Sequence, residues 1–136
     1  MKREVFILDT NIWISYLLSK KYDHLVKIIL ENNLKVVTCQ NLIAEITQVL
    51  QRDKFKKYIS GNEIAEAVKI HLKLCKLVQV KLKSNNLTDK KDNYLIDLYR
   101  EAKATALVTG DKLLSEEAFK LGLNVISLAK FENMMG

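Results

Sequence analysis

The sequence predicts an α/β fold: a three-layer α/β/α sandwich around a mostly parallel central sheet of about five strands. Short apolar, β-branched runs recur at Val5–Leu8, Lys35–Thr38, Leu77–Val80, Ala106–Thr109 and Asn124–Ser127. Longer segments of helical period separate them. The chain has no proline and only four glycines, so no linker divides it, and residues 1–136 read as one domain of ordinary size. Strands joined through helices run parallel, and a parallel sheet is covered on both faces.

The elements follow in order. After the strand Val5–Leu8, the chain reaches Asp9 and turns into a helical pattern over Asn11–Ser19, with a second over Tyr22–Asn32. The strand Lys35–Thr38 leads into a helix over Asn41–Arg52, whose Leu42, Ile43, Ile46, Val49 and Leu50 form one apolar stripe. Glu45 falls at the edge of that stripe. A helix over Asn62–Lys76, with Gly61 at its start, precedes the strand Leu77–Val80. In the next helix, Asp92–Lys103, the stripe is Leu95, Tyr99 and Ala102. Asp92 shares that face, and Asp97 and Glu101 point to solvent. Thr88 or Asp89 is free to cap this helix. The strand Ala106–Thr109 runs into a helix over Asp111–Leu121, closed by Gly122, whose inner face is Leu114, Ala118 and Leu121. Asn124–Ser127 and a helix over Leu128–Met135 complete the chain.

Composition narrows the function. Hydrophobic content of 49% and charged content of 28% are those of a soluble globular protein. No apolar run approaches the roughly 20 residues that span a bilayer. The basic start, MKREVFILDTNIW, loses its apolar run at Asp9, which speaks against a secretory signal and for the cytoplasm. Cys39, Cys75, His24 and His71 lack the spacing of a zinc site, so oxygen ligands must hold any metal. Net charge is +6, from 22 basic and 16 acidic side chains. The excess gathers at Lys20–Lys21, at Arg52 with Lys54, Lys56 and Lys57, at Lys81 with Lys83, and at Lys90–Lys91. Such clusters form either a solvated surface or a footprint for a polyanion, whose phosphates lysines neutralise without reading sequence.

Four acids carry the chemistry. Asp9 and Asp111 stand where strands give way to helices, which in an open α/β sheet is the carboxyl edge where ligands collect. Glu45 and Asp92 reach that edge from the sides of their helices. Each alone could be a helix cap or a solvated carboxylate. Together they repel one another unless a hard cation such as Mg²⁺ or Mn²⁺ lies between them. Such an ion lowers the pKa of bound water and stabilises a leaving oxygen, the needs of phosphodiester hydrolysis. Thr10 and Thr109 neighbour the acids and could orient carboxylates or waters; Asn11 could do so or merely open the first helix.

These segments resemble the PIN-domain ribonucleases, in particular the small prokaryotic kind that includes toxins of toxin–antitoxin pairs. The matching features are DTN (Asp9, Thr10, Asn11), Glu45, the D-x-x-D-N segment (Asp89, Asp92, Asn93), VTGD (Val108 to Asp111) and the final Phe131–Glu132 helix. The resemblance runs end to end. It implies a catalytic and metal-binding cluster of Asp9, Glu45, Asp92 and Asp111, supported by Thr10, Asn11, Asn93 and Thr109. It also implies Mg²⁺ or Mn²⁺, single-stranded RNA as substrate, a homodimer and a small antitoxin partner. Arg52, Lys54, Lys56, Lys57, Lys90 and Lys91 are the candidate RNA contacts. Relatives tend to carry proline in the D-x-x-D segment and before the last Phe, where Lys90 and Ala129 stand here. The third acid is open between Asp89 and Asp92, and helical phase favours Asp92. The rival expectation is a PIN-like module that binds RNA or protein without cutting. A phosphotransferase with an aspartyl nucleophile would want a second acid where Asn11 stands.

Overall fold

A computed structural model describes residues 3–135; Met1, Lys2 and Gly136, the ends of the expected domain, lie outside the described residues. Five parallel strands form one sheet: β1 (Val5–Leu8), β2 (Lys35–Thr38), β3 (Lys76–Leu77), β4 (Ala106–Val108) and β5 (Val125–Ile126). Their order is β3-β2-β1-β4-β5, with Phe6 opposite both Val36 and Ala106. The helices are α1 (Thr10–Leu18), α2 (Tyr22–Glu31), α3 (Gln40–Leu50), α4 (Gly61–Leu74), α5 (Asn93–Ala102), α6 (Lys112–Lys120) and α7 (Leu128–Met135).

Phe6, Ile7 and Leu8 are fully buried, as are Leu107 and Val108, because β1 and β4 occupy the middle of a sheet covered on both sides. Phe131 of α7 meets Phe6 edge to face at 5.3 Å, and the Trp13 indole donates to the Leu8 carbonyl at 3.0 Å. A capping box sets the start of α4: the Ser60 hydroxyl accepts from the Glu63 amide, and the Glu63 carboxylate accepts from the Ser60 amide. His71 is buried, edge-on to Trp13 at 4.4 Å and 2.9 Å from the Thr38 hydroxyl. Burial lowers its pKa to about 4, so it is a neutral core residue.

The structure corrects several expectations. The third strand is Lys76–Leu77, not Leu77–Val80: after the Val78 amide donates to the Thr38 carbonyl, the chain leaves the ladder. As an edge strand, β3 has a single neighbour to hold it in register. Neither Thr88 nor Asp89 caps the fifth helix through its side chain. The Thr88 amide and hydroxyl both donate to Glu117, and the Asp89 carboxylate lies 3.9 Å from Lys91. The buried face of α5 is also wider than the predicted stripe. Tyr94, Ile96 and Leu98 are buried with Leu95, while Tyr99 and Ala102 are only partly so.

Asp97, expected in solvent, is 8% exposed. Its carboxylate accepts from the Lys83 amide at 3.0 Å, the Ser84 amide at 3.1 Å and the Ser84 hydroxyl at 2.7 Å. Burial raises its pKa and these bonds lower it, the bonds prevailing with help from nearby Arg100.

Candidate active site

From β1 the chain steps outward to β2 and β3, then crosses back to β4 on the other side of β1. That reversal opens a crevice beyond the carboxyl ends of β1 and β4, where open α/β sheets bind their ligands. Asp9 leaves β1 and Thr109 leaves β4 at this point. The Asp9 amide donates to the Val108 carbonyl at 2.9 Å, and the Thr109 hydroxyl donates to Asp9 Oδ2 at 2.8 Å. Asp9 Oδ1 accepts from the Thr10 amide at 2.7 Å, which makes Asp9 the cap of α1 as well. Thr109 Oγ1 in turn accepts from the Asp111 amide at 3.1 Å, and Asp111 caps α6 by accepting from the Leu114 amide at 3.1 Å. A chain of hydrogen bonds thus joins the two strand ends.

Asp92 arrives from the other side, at the end of a 3-10 turn (Lys90–Asp92) that opens α5. It is 7% exposed and its side chain makes no capping bond. Its carboxyl is pushed up to about 7, chiefly by burial and then by the negative charges of Asp89, Asp9 and Glu45, against a smaller opposing pull from Lys91. Asp9 is also raised, first by burial, with Thr109 and the Thr10 amide pulling down and Glu45 and Asp111 pushing up. Asp9 thus feels the charges of Glu45 and Asp111, and Asp92 those of Asp9 and Glu45, so Asp9 is the acid that links the other three. Glu45, half-buried in the second turn of α3, reaches the crevice from the β2 side. Asp89 is exposed at the rim, beside Lys91.

Among the described residues, the buried Thr10 Oγ1 and Tyr94 Oη have no well-formed hydrogen-bond partner, although they lie close to each other. Burial holds the Tyr94 phenol protonated, with Glu45, Asp9 and Cys39 among its neighbours. No spacing in DNYL signals Tyr94 as a site residue, because the position of its hydroxyl depends on how α1 and α3 pack against α5. The other expected helpers divide. Thr109 touches Asp9 directly; Asn11 is exposed on the first turn of α1; Asn93 is buried and accepts from the Leu87 amide at 3.0 Å, fixing the loop before α5.

The basic candidates also divide. Lys90 and Lys91 flank Asp92. Arg52, Lys54, Lys56 and Lys57 follow the far end of α3, which rises about 1.5 Å per residue away from Glu45. There Lys56 pairs with Asp53 at 2.9 Å, and Lys54 and Lys57 lie over the Phe55 and Tyr58 rings.

A strand-end Asp bonded across the switch point to a Thr of VTGD, among three further acids, is a pattern that can be set against known families. The PIN domain family matches residues 5–113, from the first residue of β1 to the first turn of α6. The chain belongs to the PIN domain family. The crystal structure of PAE2754 from Pyrobaculum aerophilum superposes with a TM-score of 0.68 at 12% identity, covering 98% of this chain and 98% of that one. VapBC2 from Rickettsia felis, crystallised bound to a DNA fragment from their promoter, gives a TM-score of 0.59 at 16% identity, covering 90% of this chain and 98% of that one. At these identities the likeness is one of fold. A comparison with curated proteins gives no match. PIN domains are generally nucleases, and PIN nucleases generally use divalent metals.

The donor set of this PIN domain suits such an ion in kind: carboxylates and hydroxyls, with unpartnered Thr10 and Tyr94 oxygens buried beside them. Among the described residues, no three His, Cys, Asp or Glu side chains close on a single point. A hard cation such as Mg²⁺, which keeps most of its waters, needs only one or two of these carboxylates directly. The arrangement does not form a closed cage.

Proposed function

We propose that this PIN domain is a metal-dependent endoribonuclease that hydrolyses phosphodiester bonds of single-stranded RNA, with Asp9, Glu45, Asp92 and Asp111 as its catalytic and metal-binding acids. The observation that carries this reading is the Asp9–Thr109 bond across the switch point, with Asp92 nearby, its carboxyl pushed up to about 7 first by burial and then by the charges of Asp89, Asp9 and Glu45. Buried like charges cost free energy, and a cation between them offsets that cost.

Mg²⁺ or Mn²⁺ bound there would acidify a water and offset charge on the phosphate. The chain's own residues do the rest. Thr109 and the Thr10 amide fix both oxygens of Asp9, which leaves its remaining lone pairs aimed by the fold rather than by solvent. Asp92, free of capping bonds, has both carboxyl oxygens available to a cation. The buried Tyr94 and Thr10 hydroxyls add polar groups beside the acids. Lys90 and Lys91 offset the repulsion that an acidic crevice offers a polyanion.

The fold shared with VapBC2 supports a place in a toxin–antitoxin pair with a small antitoxin as partner; the homodimer is proposed on the family resemblance alone. No helix among the described residues is long and apolar enough to cross a membrane; a cytoplasmic site of action is part of the proposal.

The test is cleavage of an end-labelled, unstructured RNA. Purified protein should cut with Mg²⁺ or Mn²⁺, stop in excess chelator, and lose nearly all turnover in Asp9→Asn and Asp92→Asn. Undiminished cutting after chelation would sink the metal mechanism. Binding without cutting under every cation would instead support the non-catalytic module, which the open arrangement of the acids also accommodates.

A further inference from the structure

A groove of about 880 Å³ lies beside the acidic crevice. The first turn of α3, the irregular stretch that follows β3, and the outer face of α5 enclose it. Its volume is toward the upper end of the roughly 300–1,000 Å³ typical of ligand sites. Its position links it to the crevice: Cys39 and Gln40, which line the groove, follow the carboxyl end of β2, the neighbour of β1 in the sheet. Asn41, also in the lining, is one turn before Glu45 on α3.

Its charge is distinctive. Lys81, Lys83 and Arg100 line it, and among the described residues none of them forms an ion pair. The lining acids are Asp97 and Glu101. Asp97 is held by the Lys83 amide and Ser84 and lies near Arg100, so three cations stand against two carboxylates and the groove keeps an excess of one positive charge. Uncharged amides of Gln40, Gln79 and Asn86 fill the spaces between. Cations interspersed with amide donors suit a phosphate backbone with exposed base edges, and suit an apolar peptide poorly.

We propose that this groove is the track that holds the substrate strand beside the cleavage point, with Lys81, Lys83 and Arg100 contacting successive phosphates of single-stranded RNA. It rests on the ribonuclease reading above and adds where the strand runs. The lysines at 52–57, past the far end of α3, are not part of this track.

Binding is measured by fluorescence anisotropy of a labelled 12-nucleotide unstructured RNA on the non-cleaving Asp9→Asn protein, between 50 and 300 mM KCl. Replacing Lys81, Lys83 and Arg100 together by Ala should raise Kd at least tenfold. The slope of log K against log salt should fall by roughly 2, near 0.7 for each phosphate of a single strand that is no longer neutralised. Removing the same charge from exposed helix faces, as Lys69→Ala, Lys73→Ala and Lys120→Ala, should change Kd less than twofold. An unchanged slope in the groove variant at an unchanged melting temperature, or an equal weakening in the surface variant, would overturn the proposal. Failure of the ribonuclease reading shows elsewhere, as a wild type that never cuts with any cation, so the two failures are separable.

Discussion

Asp92 shows what one residue can and cannot declare from sequence. Its phase with Leu95 correctly predicts burial, since helical periodicity fixes which way a side chain points. The sequence also predicts its freedom from capping, on the ground that Thr88 or Asp89 would do that work; the side chain is indeed free, but neither of those residues caps in its place. The raised carboxyl follows from distances across the fold, which a linear pattern does not contain. It gives a stability prediction with a definite sign. In chelator at low pH, below the ordinary carboxyl value of 3.8, the group is protonated both folded and unfolded and costs nothing. As pH rises toward about 7, the unfolded chain ionises while the folded one keeps its proton, so stability falls. Asp92→Asn lacks that loss. It should match the wild type near pH 4 and exceed it at pH 8, by on the order of 1–3 kcal/mol. Urea melts at the two pH values check it. A variant less stable than wild type at pH 8 would mean that Asp92 holds the fold rather than burdening it.

At the scale of elements, β1, β2 and β4 are readable to within a residue because strands buried on both faces are written as unbroken apolar runs. The stretch Leu77–Val80 misleads, because its composition is β-forming while only its first residue, Leu77, stays in the ladder. What fixes the departing chain is Asp97, more than a dozen residues downstream. Helical phase puts Asp97 opposite the Leu95 stripe, and that much is right. Periodicity has no means of showing that a returning loop covers the opposite side. Asp97→Ala should therefore destabilise the protein by roughly 2–3 kcal/mol, since it strands the Lys83 and Ser84 amides and the Ser84 hydroxyl. Amide hydrogen exchange at Lys83 and Ser84 should accelerate out of proportion to the global change. A near-wild-type melt with unchanged exchange would return Asp97 to the solvated surface where its spacing first puts it.

For the whole molecule, the arrangement of charge matters more than its sum. A net +6 says only that a polyanion would be attracted. The fold sorts that surplus, sending Arg52–Lys57 past the far end of α3 and keeping Lys90 and Lys91 beside the acids. The acids, in contrast, approach one another: Asp9, Glu45, Asp92 and Asp111 come from four separate stretches of chain, and the repulsion that Asp9 and Asp92 feel from acidic neighbours is carried by the native state alone. A cation that binds only this gathered state must therefore stabilise folding as a whole. At a free Mg²⁺ or Mn²⁺ concentration about 100 times its Kd, the gain should be near 2.7 kcal/mol. For a chain of this length that raises the melting temperature by about 10 °C, taking about 4 °C per kcal/mol. The gain should grow between pH 6 and pH 8, because below about 7 the cation competes with the proton on Asp92. Asp92→Asn should start from the higher metal-free melt and gain less. Scanning calorimetry of both proteins at both pH values, with and without metal, gives the comparison. A wild type whose melting temperature ignores millimolar Mg²⁺ and Mn²⁺ at pH 8 would show that the acids are gathered for some purpose other than holding an ion.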